Sequence, residues 1–67
     1  MRAEKGMARE LERQTTKTAA TLRSEIQYFE ALYAATQLRE RQKRYSRAIL
    51  VRRAALAIVD KRRQVPA

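Results

Sequence analysis

The sequence predicts an all-α fold: a two-helix hairpin, or alternatively one long helix, that associates into a helical bundle or docks in a larger assembly. Three observations predict it. The 67 residues contain one Gly and one Pro, Gly6 and Pro66, both near the ends, so about sixty residues run without a helix breaker. Ala, Leu, Arg, Glu, Gln and Lys, the strong helix formers, dominate the rest. Apolar residues then recur at helical spacing through residues 19–38.

Residues 1–18 are polar. Glu4, Lys5, Arg9, Glu10, Glu12 and Arg13 mix the signs, and Arg9 with Glu12 and Glu10 with Arg13 are i,i+3 pairs. Only Met7 and Leu11 supply an apolar stripe. Thr15, Thr16, Thr18 and Thr21 lower helix propensity, because a β-branched side chain loses χ1 freedom in a helix. This segment is expected as a frayed or conditional helix, solvated unless a partner covers it.

Residues 19–38 form the clearest amphipathic helix. At about 100° per residue, Leu22, Ile26, Phe29, Tyr33 and Thr36 fall on one side, extended by Leu32 and Tyr28. Arg23, Gln27, Glu30 and Gln37 lie opposite. Glu25 sits at the edge of the apolar face. Either it reaches out to water, or it pairs with an Arg of the facing helix.

Residues 45–63 read as a second helix. Leu50, Val51, Ala54, Ala55, Ile58 and Val59 occupy more than half of its circumference, with Ser46, Arg53 and Asp60 as a narrow polar strip. A helix apolar on most sides is buried by more than one neighbour. Pro66 disfavours helix at Val65, which places the stop near Arg63. Residues 39–47 lie between the two helices. Nothing there demands a turn, and Ser46 is a candidate N-cap for a helix beginning at Arg47. The apolar faces before and after share no continuous seam, which favours a bend. The domain reading is therefore a polar segment, 1–18, and a helical hairpin, 19–67.

A chain this short is marginal unless disulfides, metal or oligomerisation help it. It has no Cys and no His, so thiolate and imidazole chemistry are excluded. Oligomerisation or docking is what remains. The oligomer contacts expected are Leu22, Ile26, Phe29, Leu32, Tyr33, Leu50, Val51, Ala54 and Ile58. No catalytic constellation, metal site or cofactor cradle can be assembled, and Ser24 and Ser46 lack an activating partner. The expectation is a protein that binds rather than catalyses, with no cofactor and no small-molecule substrate. The charged N-terminus shows no signal peptide and no apolar run is long enough to span a bilayer, so a cytoplasmic location is expected.

Charge is the informative feature. Residues 1–38 carry six basic and five acidic side chains, and residues 39–67 carry ten and two. Eight of those ten are Arg, whose planar fork pairs bidentately with phosphate or carboxylate. Lys61, Arg62 and Arg63 suit a helix C-terminus, where cations favour the macrodipole. Arg52, near Leu56 and Val59, suits an ion pair or packing. Arg39, Arg41, Lys43, Arg44 and Arg47 meet only Glu40 in the same run. With Arg53 they are the candidate nucleic-acid contacts, for DNA or RNA, without sequence readout. Tyr45 beside them is expected to pack rather than to stack on a base. The competing reading is a structural or adaptor subunit, in which the basic run meets an acidic protein partner or ribosomal or viral nucleic acid. Peripheral membrane binding fits less well, because the apolar arc is wide and Ala-rich.

Overall fold

The computed structural model describes residues 2–64, with the side chains of residues 6–63. The Glu4 and Lys5 side chains and the stop expected before Pro66 lie outside the described residues. Three helices are present and, among the described residues, no strand: α1 (Arg2–Gln14), α2 (Ala19–Ala35) and α3 (Arg39–Gln64).

The polar N-terminal segment is α1, and its cover is α3 of the same chain. The Thr cluster ends it. The Thr15 and Thr16 hydroxyls donate to the carbonyls of Glu12 and Arg13, both at 2.7 Å, and so cap carbonyls that the helix leaves without partners. Thr18 then starts α2: its backbone is extended and its hydroxyl accepts from the Thr21 amide at 3.1 Å.

α2 stops at Ala35, short of the expected residue 38. Thr36 takes an extended conformation while its amide still donates to the Leu32 carbonyl at 3.0 Å. Its hydroxyl accepts from the Leu38 amide at 3.3 Å, and its carbonyl from Gln42 Nε2 at 3.1 Å. Thr36 thus satisfies a chain reversal that contains no Gly, Pro or Asn. Residues 39–47 are not a junction. They are the first turns of α3, which begins at Arg39, so Ser46 is an exposed mid-helix residue and not the N-cap read from the sequence.

α3 lies between the other two helices, packing mainly on α2 and also on α1, while α1 and α2 barely meet. The outcome is a slab of 46 × 30 × 12 Å measured over Cα atoms. The core is small: Ala19, Leu22 and Ile26 of α2 with Val51 and Ala55 of α3. Leu22 with Ile26, and Val51 with Ala55, are i,i+4 pairs, so each lies on one helix face. Ala19 and Ala55 have no bulk to hold the helices apart. Gln14 is also buried. Its Nε2 donates to Glu10 Oε2 at 2.9 Å, and its Oε1 has no partner among the described residues.

Candidate nucleic-acid interface

The cations of the chain divide by what they touch. Arg52 lies between α2 and α3. Its Nε donates to Glu25 Oε1 at 2.8 Å, its Nη1 to the Ala48 carbonyl at 3.1 Å, and its guanidinium sits 4.6 Å over the Phe29 ring. Lys17 grips the same carboxylate at 2.8 Å. Glu25 thus takes the pairing role, and Lys17 joins Arg52 as a second partner. The hydrogen bond from Lys17 holds its carboxyl below the ordinary range. Partial burial opposes this, and Arg52 adds to it.

Two further pairs join α2 to α3: Arg53 with Glu30, and Arg23 with Asp60 at 3.3 Å. Arg53, expected as a phosphate contact, directs its guanidinium to Glu30 and stays largely exposed. Arg23 and Glu30, on the polar face of α2 in the sequence reading, reach α3 by their long stems.

Arg39, Arg41, Lys43, Arg44 and Arg47 are all exposed, and no carboxylate pairs with them among the described residues. α3 sorts them by position. Arg39, Lys43 and Arg47 follow at i,i+4 spacing and stand in one row along α3. The row is about 12 Å long at 1.5 Å per residue. It lines an open groove of about 580 Å³ whose floor continues through Gln42, Ser46 and Leu50. Met7 from α1 and Tyr33 from α2 complete the lining. Arg47 Nε donates to Met7 Sδ at 3.3 Å, which ties the row to α1. Arg41 and Arg44 point elsewhere on the helix. Arg44 lines a second opening of about 540 Å³ between α1 and α3, with Glu10, Arg47 and Arg52 among its walls.

The expected oligomer contacts also separate. Leu22, Ile26 and Val51 are buried inside the chain. Phe29, Leu32 and Ile58 are half-buried, and Ala54 is exposed. Tyr33 and Leu50 are large apolar side chains left 43% and 62% exposed. Tyr45 packs, as expected, with its ring centroid 6.1 Å from that of Phe29. Sequence reasoning placed neither Met7 nor Tyr33 beside the cations, since both come from other helices.

No protein-family model, curated protein or solved structure matches this chain. Among the described residues no cluster of acidic side chains is placed to hold a metal ion, and no helix is long and apolar enough to cross a membrane.

Proposed function

We propose that the chain is a non-catalytic, sequence-tolerant nucleic-acid binder whose phosphate contacts are Arg39, Lys43 and Arg47. The observation that carries this reading is the row itself. Like charges at i,i+4 destabilise a helix by a few tenths of a kcal/mol each. Arg39 and Arg41 also lie in the first turn of α3, where the macrodipole favours anions over cations. Glu25, Glu30 and Asp60 neutralise cations elsewhere, yet this row meets no carboxylate among the described residues. Glu40 is the one acidic residue of that first turn and pairs with none of these cations. A local rule broken in this way, with no pairing carboxylate among the described residues, points to a partner. Phosphates supply the missing charge, and the α3 N-terminus favours them too.

Replacing Arg39, Lys43 and Arg47 together by Gln is expected to lower the log–log salt slope of nucleic-acid binding by about 2 to 3, three phosphate contacts being lost. The same charge change at Lys61, Arg62 and Arg63 is the control and is expected to act much less. Equal losses in the two variants, or no nucleic acid bound at low salt, would overturn the reading.

A second reading, a subunit of an oligomer or larger assembly, rests on a different observation. Leu50, Ala54 and Ala57 are exposed at 4,3 spacing along the face of α3 that carries the cation row. In that case the mass in solution exceeds one protomer, the thermal midpoint rises with concentration, and Leu50→Glu returns a folded monomer. A wild-type monomer mass with a concentration-independent midpoint removes self-association from this reading.

A further inference from the structure

We infer that the groove over the start of α3 takes single-stranded nucleic acid, with an unpaired base stacked on Tyr33 while its phosphates follow Arg39, Lys43 and Arg47. This rests on the nucleic-acid reading above and goes beyond it. Tyr33 continues the seam of Leu22, Ile26 and Phe29, yet it stays 43% exposed while the first two are buried. It faces the groove together with Leu50, which is 62% exposed. Exposed aromatic and aliphatic surface adds nothing to phosphate binding. In a duplex the π-faces of the bases are stacked on one another and closed to Tyr33. A single strand offers phosphates and π-faces together, and a cationic track beside an aromatic platform is the arrangement that uses both. The groove, about 580 Å³, has the volume of sites that hold a small organic molecule. Gln42 and Ser46 offer polar contacts on its floor without a pattern that would select a base.

The test measures affinity of the full chain for a labelled oligothymidine, a duplex of equal length and inorganic polyphosphate. Tyr33→Leu is expected to weaken oligothymidine binding roughly 5- to 150-fold, the range of one lost stack, and to leave polyphosphate binding unchanged. Tyr33→Phe restores it, and Tyr28→Leu, at a Tyr that does not line the groove, has little effect. The chain has no Trp, so Tyr33→Trp places a single indole in the groove. Its emission is expected to be quenched by oligothymidine and not by polyphosphate. Far-UV circular dichroism checks that each variant is folded. If Tyr33→Leu leaves oligothymidine affinity within twofold, or the indole is quenched equally by polyphosphate, the stacking inference fails while phosphate binding stands. If none of the three polyanions binds, both fail.

Discussion

Leu22→Ala is expected to lower stability by about 2–5 kcal/mol, the cost of a large-to-small change in a closed core. Leu22 is the one large side chain that is fully excluded from water among the described residues. Ala19 and Ile26 flank it on α2, and Val51 and Ala55 supply the buried face of α3. Truncation leaves a cavity where the slab has little other apolar mass to draw in. Stabilities of about 0.05–0.15 kcal/mol per residue leave a chain of this length little reserve, so the loss should be a large share of the total and the urea midpoint should fall accordingly. Urea titration followed by circular dichroism measures this. Leu50→Ala, at an exposed position on α3, is the contrast and should change stability by less than about 0.5 kcal/mol. A loss below about 1 kcal/mol for Leu22→Ala would show that α2 does not pack on α3 through this residue.

Glu25→Gln is expected to cost about 1.5–3 kcal/mol, the range for hydrogen bonds to charged groups. One carboxylate takes both the Lys17 ammonium and the Arg52 guanidinium, so its loss strands two cations, one of them mostly covered. The pH dependence follows from the sign of the shift. The folded carboxyl lies below its ordinary value of 4.5, so its stabilisation is complete above that value and is lost as pH falls through the lower, folded value. Wild-type stability should therefore fall in acid below about pH 4.5, and Glu25→Gln should flatten that limb. An unchanged acid limb would remove Glu25 as its cause. Because the site is only partly covered, added salt should narrow the gap between the two proteins.

Much of α2 was legible. Leu22 and Ile26 stand out by spacing alone, and Glu25 at the edge of their face already raised the pairing that Arg52 makes. The end of α2 was not legible, because Thr36 stops the helix through hydrogen bonds to Leu38 and Gln42 and not through a breaker residue. α1 was legible only conditionally, for a related reason. Its apolar stripe is two residues, Met7 and Leu11, and a stripe that narrow reads as uncovered until α3 is seen beside it. The candidate cations were legible as a run in sequence. Their division into a row of Arg39, Lys43 and Arg47 with Arg41 and Arg44 off it required knowing that the run is helical from Arg39.

Helical content, the seam of α2 and the concentration of positive charge after residue 38 come from the sequence by itself. Propensity, period and charge count are local quantities, summed over neighbours in the chain. Which cations are neutralised and which apolar side chains stay open was decided only by the tertiary structure. Glu25 meets Arg52 across 27 positions and Glu30 meets Arg53 across 23, and those pairings depend on which helix faces meet. The same packing buries Leu22 and leaves Tyr33 and Leu50 open. It brings both into one groove with Arg39, Lys43 and Arg47, because α3 lies between two helices that cover its flanks and leave its outer face free.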